Sequence, residues 1–306
     1  MAATMAGDFE GRARLLPGEG FAVPDGPWRL ALRAATESCR RPVAHRSLQT
    51  RRFTTAQGRL WARVSSAAPA PGPGVVLVHG VIVSSRYLIP LGAELAAHFP
   101  VVFPDLPGYG LSDAPRWPPT LARLADATIA CARAAGHERV SLVGNSFGAQ
   151  IAVEAAIRHP DSVDRIALIG PTTDPQARSL ARQYVRWQRC ALDEHLAILP
   201  IMARDLIDVG PRRAAHLLRV MLNDRIEDKL PRVRAPAVII RGGRDRVAPK
   251  RWAQHATDLL PHGRLTVIPG YAHMPHWSGT LVLAPVLRDF LNCSHKTTNE
   301  TVPPHA

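Results

Sequence analysis

With 306 residues, of which 46% are hydrophobic, the chain is long enough to bury a large core and too apolar to be a disordered tail. Its mean hydropathy is −0.05, no apolar run reaches the length of a membrane span, and the first twenty or so residues lack the apolar stretch of a signal peptide. The net charge of +13 is carried almost wholly by arginine scattered along the chain, with lysine only at Lys229, Lys250 and Lys296; without a basic block interleaved with aromatics, it argues against nucleic acid as a partner.

In chain order, residues 1–45 read as an irregular N-terminal arm with one short helical pattern, Trp28–Ala35. Arg52–Thr55 and Leu60–Val64, joined across Gln57-Gly58, predict a hairpin, and the Ala/Pro/Gly-rich stretch Ala67–Gly74 predicts a loop. The pattern then changes to continuous apolar runs: Val75–Val78, Val101–Phe103, Val140–Val143, Ile166–Ile169, Ala237–Ile240 and Leu265–Ile268. Strands apolar on both faces belong in the middle of a parallel sheet covered by helices. Helical patterns at Tyr87–His98, Leu121–Ala135, Phe147–Arg158, Arg251–Leu260 and Leu281–Leu291 supply the covering. Such alternation predicts an α/β fold, a mostly parallel central sheet with helices on both faces.

One section breaks the alternation. Residues 171–233 contain only helical stretches, Ala177–Leu192, His195–Val209 and Arg212–Asn223, punctuated by Pro200, Gly210 and Pro211. The expected division is a core of 46–170 and 234–292, a helical cap of 171–233 over the sheet's C-terminal edge, and a disordered tail of 293–306. The four cysteines, Cys39, Cys131, Cys190 and Cys293, lie far apart without metal-ligand spacing or a disulfide framework, which fits a reducing cytoplasm. Neither a metal nor an organic cofactor is expected. The expected partner is a small-molecule substrate, with no membrane partner, and a homo-oligomer stays open.

Chemistry is concentrated in Gly144-Asn145-Ser146-Phe147-Gly148, set between the strand run Val140–Val143 and a helix-forming run. A strand–turn–helix context makes Gly-x-Ser-x-Gly a nucleophile candidate. Glycine is needed on both sides because a Cβ there would strike neighbouring backbone as the turn tightens. Phe147 follows the serine, and its N–H points where an oxyanion would form. A serine hydroxyl needs a base, and the base an orienting carboxylate. Asp245 lies in the glycine-bearing loop after Val238–Ile240, and His273 in the loop after Leu265–Ile268, in the order serine, acid, histidine. After the first buried strand, His79-Gly80-Val81 offers the Val81 N–H as a second oxyanion donor. Two such donors are worth on the order of 3 kcal/mol each.

These residues, with Asp105-Leu106-Pro107-Gly108-Tyr109-Gly110-Leu111-Ser112-Asp113 and Gly270-Tyr271-Ala272-His273, resemble the α/β-hydrolase superfamily over about Phe53–Leu291. The resemblance implies Ser146 as nucleophile, Asp245 as acid, His273 as base, Val81 and Phe147 as the oxyanion hole, and 171–233 as the family's cap. It also implies covalent catalysis through an acyl-enzyme. His79 is expected to be structural, Asp105 and Asp113 to fix a loop, and Asp224 or Asp228 to serve as acid only if Asp245 were misplaced. His276, Trp277 and Ile82 are candidate pocket residues, while Trp187 and Trp252 read as packing or pocket wall. Serine at the turn disfavours the relatives that use aspartate there. The turn sequence and the cap are also similar to hydrolases that cleave carbon–carbon bonds in aromatic ring-fission products. The apolar loop Val81-Ile82-Val83-Ser84-Ser85 departs from their glycine-rich one, so a serine esterase of a small, partly hydrophobic ester ranks first and a C–C hydrolase second. An acyltransferase and a silent ligand-binding relative stay open.

Overall fold

Eight strands form a single sheet in a computed structural model that describes residues 47–66, 73–116 and 118–293. The arm 1–45, most of the Ala67–Gly74 loop and the tail beyond Cys293 lie outside the described residues. In chain order, β1 (Leu48–Thr55) and β2 (Gly58–Ser65) make an antiparallel hairpin closed at Gly58, whose φ of 115° suits glycine. Next come β3 (Gly74–Val78), α1 (Ile89–Leu95), β4 (Val101–Pro104), α2 (Leu121–Ala134), β5 (Val140–Asn145), α3 (Phe147–Arg158) and β6 (Val163–Ile169). Four helices follow without a strand: α4 (Leu180–Ala191), α5 (Leu199–Val209), α6 (Pro211–Asn223) and the short α7 (Ile226–Lys229). The chain then completes β7 (Ala237–Gly242), α8 (Lys250–Asp258), β8 (Gly263–Ile268), α9 (Pro275–Ser278) and α10 (Thr280–Asn292).

The strand order is β1-β2-β4-β3-β5-β6-β7-β8; the first two pairings are antiparallel and the rest parallel. Side chains alternate across a strand, and β3 shows how this builds two cores. Val76 and Val78 join Leu124 and Ala125 of α2 and Ile151 and Ala152 of α3 on one face. Val75 and Leu77 join Leu91 and Leu95 of α1 and Leu283 and Leu287 of α10 on the other. Because β3, β5, β6, β7 and β8 run parallel, the loops after them gather at one edge of the sheet, where sites of α/β folds open.

Two expectations are corrected. The run Leu265–Ile268 is not a central strand: β8 is the sheet's edge, and Val267 is 39% exposed. An apolar run cannot distinguish the last strand from the middle ones. The helix expected over Tyr87–His98 splits into a 3-10 turn, Ser85–Leu88, and α1, which starts beside Pro90. The segment between β6 and β7 is helical as expected, with α7 as an unanticipated extra turn.

Candidate active site

Gly144 and Gly148 allow β5 to turn abruptly into α3. A Cβ on Gly144 would strike the Gly148 carbonyl, and one on Gly148 the Val78 carbonyl. Between them Ser146 is held at φ 56° and ψ −116°, with its N–H bonded to the Ile169 carbonyl at 2.9 Å. Among the described residues only Ser146 and Ile82 have positive φ without being glycine. Such a conformation costs on the order of 1–3 kcal/mol, and persists only where surrounding structure enforces it. Phe147 is the first residue of α3, so its N–H has no intrahelical acceptor, as at any helix start.

Asp245 and His273 meet from the loops after β7 and β8. His273 Nδ1 lies 2.9 Å from Asp245 Oδ2. The other carboxylate oxygen, Oδ1, accepts the N–H groups of Val247 at 2.8 Å and Ala248 at 2.9 Å. Asp245 is thus fully buried with its lone pairs engaged, which fixes its orientation and, through it, the imidazole ring. Burial pulls the His273 pKa down, but the Asp245 charge and hydrogen bond outweigh it and hold the pKa above the ordinary 6.5. The serine turn is stitched to this loop by Asn145, whose side-chain N–H donates to the carbonyls of Ile169 at 3.1 Å and of His273 at 3.3 Å.

The first loop is locked from several sides. His79 Nε2 accepts the Leu106 N–H at 3.1 Å, so Nδ1 carries the ring proton and donates to the Gly80 carbonyl at 2.9 Å. Burial lowers its pKa to about 4, so His79 is a neutral brace between two loops. The Gly80 N–H is occupied by the Tyr87 hydroxyl at 2.7 Å, and that hydroxyl donates to Asn145 Oδ1 at 2.8 Å. Val81, half-buried, is the next N–H along this loop. Asp105 binds the N–H and hydroxyl of Ser85 and the Leu111 N–H, and Asp113 pairs with Arg59, so both fix loops. The reserve acids are engaged elsewhere: Asp224 with Lys229, Asp228 with Arg225.

Several residues at this site carry no motif. Gly170, just past β6, lies against the Asp245–His273 pair: a Cβ there would come within 2.9 Å of Asp245 Oδ2. Tyr87 ties the first loop to the serine turn. Glu194, from the helical segment, accepts the Met274 N–H at 2.9 Å beside the histidine. Asp205 of α5 accepts the N–H and hydroxyl of Ser84 at 2.6 and 2.8 Å and pairs with Arg86. The Glu194–Met274 and Asp205–Ser84 contacts join residues 80 or more apart in sequence, beyond the reach of local pattern.

A small cleft opens beside His273. Its walls come from α4 (Trp187, Ala191), the following loop (Leu196) and α5 (Leu199, Met202), with Glu194 and Met274 near His273. No arginine or lysine is in this lining, and neither are the pocket candidates His276, Trp277 and Ile82. His276 lies fully buried with its ring edge-on to Tyr87, 4.5 Å between centroids, and burial takes its pKa down to about 3. Trp277 is half-buried against the α1–α10 core. Ile82 packs on the opposite one. Trp252 is wholly buried and donates its indole N–H to the Pro171 carbonyl at 2.8 Å. Among the described residues no three His, Cys, Asp or Glu side chains are grouped to hold a metal ion, and no helix is long and apolar enough to cross a membrane.

The sheet order and the loops meeting at its edge are those of an α/β-hydrolase, and the chain belongs to the alpha/beta hydrolase family, whose model matches residues 75–284. It is similar to an uncharacterised protein of Mycobacterium tuberculosis (strain ATCC 25618 / H37Rv), 29% identical over 275 residues that cover 77% of this chain and 79% of the relative. It is also similar to a pimeloyl-[acyl-carrier protein] methyl ester esterase of Chromobacterium violaceum, 28% identical over 68% of this chain and 89% of the esterase. Among solved structures, a thermophilic esterase from Thermogutta terrifontis superposes with a TM-score of 0.67 over 79% of this chain and 98% of its own; at 20% identity that likeness speaks for the fold alone.

Proposed function

We propose that this protein is a serine hydrolase of a small, partly hydrophobic carboxylic ester, with Ser146 as nucleophile, His273 as base and Asp245 as the orienting acid. The reading is carried by the His273–Asp245 pair at 2.9 Å, beside the serine turn that Asn145 ties to it. In the proposed reaction His273 takes the Ser146 proton as the hydroxyl oxygen attacks the ester carbonyl. The Phe147 and Val81 N–H groups stabilise the oxyanion. His273 then returns the proton to the departing alcohol as the C–O bond breaks. Water, deprotonated by the same histidine, attacks the acyl-enzyme and releases the acid. The Asp245 carboxylate balances the imidazolium, and its two backbone N–H donors keep it from rotating away.

The division of labour follows from the same residues. The core carries the bond-breaking groups, and 171–233 acts as a cap whose α4 and α5 select the substrate. An apolar lining with Glu194 and without arginine or lysine favours an uncharged acyl or alkyl group over a carboxylate-bearing one. That ranks an ester above the charged dienoates that a C–C hydrolase would take. The test is labelling with a fluorophosphonate probe, followed by turnover of short and medium acyl esters beside ring-fission dienoates, with Ser146→Ala as control. Labelling at Ser146 and preference for esters are expected. An unlabelled Ser146 with no turnover would sink the enzymatic reading, and turnover of dienoates alone would replace it with the C–C reading.

A further inference from the structure

One buried hydroxyl stands between three loops of the site. The Tyr87 oxygen accepts the Gly80 N–H at 2.7 Å, and its proton goes to Asn145 Oδ1 at 2.8 Å. The direction of this relay is fixed by its far end. Asn145 Nδ2 donates to the carbonyls of Ile169 and His273. Carbonyls only accept, so that end of the amide is the nitrogen, and the oxygen facing Tyr87 needs a donor. The phenol has a single proton, which goes there, and its oxygen is left to accept from Gly80. Burial pushes the Tyr87 pKa up, so the hydroxyl keeps that proton. A buried network whose side-chain donors are all engaged in this way holds one arrangement.

That arrangement bears on both proposed oxyanion donors. The Val81 N–H belongs to the same planar peptide as the Gly80 carbonyl and, the peptide being trans, points the opposite way. His79 Nδ1 holds that carbonyl at 2.9 Å, while Tyr87 holds the N–H one peptide earlier. Together they set the direction of the Val81 N–H. At the other end of the relay, Asn145 immediately precedes Ser146 and Phe147, so the second donor is anchored with it. We propose that Tyr87 is a positioning residue: it fixes the spacing between the Val81 and Phe147 donors and ties both to the His273 loop. His276 holds the phenol ring in place. It is fully buried, its ring stands 4.5 Å from that of Tyr87 at 75°, and neither of its ring nitrogens has a hydrogen-bond partner among the described residues. A buried imidazole without partners is destabilising as a polar group, so what it contributes here is its shape. The role of Tyr87 rests on the hydrolase reading.

The experiment compares Tyr87→Phe, which removes only the hydroxyl, with the parent full-length protein. It uses a short water-soluble ester, an alkyl trifluoromethyl ketone and thermal unfolding. The Ser146 oxygen adds to the ketone carbon, its proton passes to His273, and the ketone oxygen becomes an oxyanion facing the same two donors. The ketone Ki therefore reads the oxyanion hole without turnover. In Tyr87→Phe, kcat should fall about ten- to a hundredfold with KM within about twofold, and Ki should rise in the same proportion. Asn145→Ala breaks the relay at its other side, so the double variant should be slower than Asn145→Ala by no more than about twofold. His276→Ala should lower kcat, and His276→Phe, which refills the space, should restore most of it. Gly136→Ala, in the turn after α2 at φ 95°, lowers stability outside these loops and should leave kcat and Ki alone. Parental kcat and Ki in Tyr87→Phe, a kcat loss with unchanged Ki, or fully additive losses in the double variant overturns the proposal. A parent that neither turns over ester nor labels at Ser146 with fluorophosphonate removes the hydrolase reading itself. An active parent beside an unimpaired Tyr87→Phe removes the positioning role alone.

Discussion

Gly170 lies against His273 so closely that a Cβ on it would stand 2.8 Å from the imidazole Nδ1, the atom that faces Asp245. The backbone there has φ 54°, and its N–H is fixed to the Ile240 carbonyl at 2.8 Å, so it cannot retreat. Gly170→Ala should therefore do two things. It should cost about 1–2 kcal/mol of stability through the left-handed backbone, and it should push the pair out of line. A displacement of that kind is worth roughly a hundredfold in kcat. Gly136→Ala separates the effects, because Gly136 has φ 95° with nothing within 4 Å of its Cβ position. Thermal unfolding and ester kinetics on both variants should show similar stability losses and a rate loss only at Gly170.

In the proposed reaction His273 must be neutral to accept the serine proton, and Asp245 holds its pKa above 6.5 against the effect of burial. Lowering the pH protonates it, so kcat/KM should fall on the acid side with a midpoint above 6.5. In Asp245→Asn the charge is gone and burial prevails, so the midpoint should move below 6.5. The remaining rate should drop by roughly 10³–10⁴, since the amide no longer fixes the productive tautomer. Stability responds with the opposite sense of pH. A raised histidine pKa contributes stability that is present below 6.5 and lost as pH rises through the folded value. That contribution should vanish in Asp245→Asn. A pH–rate profile and a pH series of unfolding midpoints read the two effects independently.

Glu194 brings a second carboxylate to the same histidine, from the helical segment rather than the sheet. Burial pushes its own pKa up, while the His273 ring and the backbone N–H groups of Met274 and His273 hold it down. Its charge adds to that of Asp245 in favouring the imidazolium. Glu194→Gln keeps an oxygen for the Met274 N–H but removes the charge, so the acid limb should move to lower pH with little change in stability. Glu194→Ala also frees the loop that carries His273, and kcat should fall further. If the Gln variant has the parent profile, Glu194 is only a tether.

Much of this arrangement was legible because it is local. The apolar runs, the glycines bracketing Ser146 and the order of Ser146, Asp245 and His273 are all short-range patterns, and the sheet and the His273–Asp245 contact follow from them. What was hidden depends on tertiary geometry. Leu265–Ile268 has the composition of a central strand, and only the strand order makes it an edge. Glu194, Gly170 and Asp205 lack a motif because each matters through contacts with a distant loop. His276 sits three residues from His273, yet α9 turns it into the core against Tyr87.

Asp205 makes the helical segment and the first loop mechanically one piece. It is fully buried, accepts both Ser84 donors on one oxygen, and pairs with Arg86 on the other; Arg86 also meets Asp208 at 3.1 Å. Ser84 is three residues beyond Val81, so this clamp holds the loop that presents the proposed oxyanion donor. Asp205→Ala would leave Arg86 largely buried and short of its main partner, a loss on the order of 3–5 kcal/mol. Unfolding midpoints should fall accordingly, and kcat should fall with them while labelling of Ser146 by fluorophosphonate slows. Arg86→Leu/Asp205→Leu removes both charges together and should recover much of the stability, since a buried pair replaced by apolar groups is often neutral. The rate should not recover, because the Ser84 N–H and hydroxyl would still lack their acceptor. Recovery of both in the double variant would make the clamp a stability element alone.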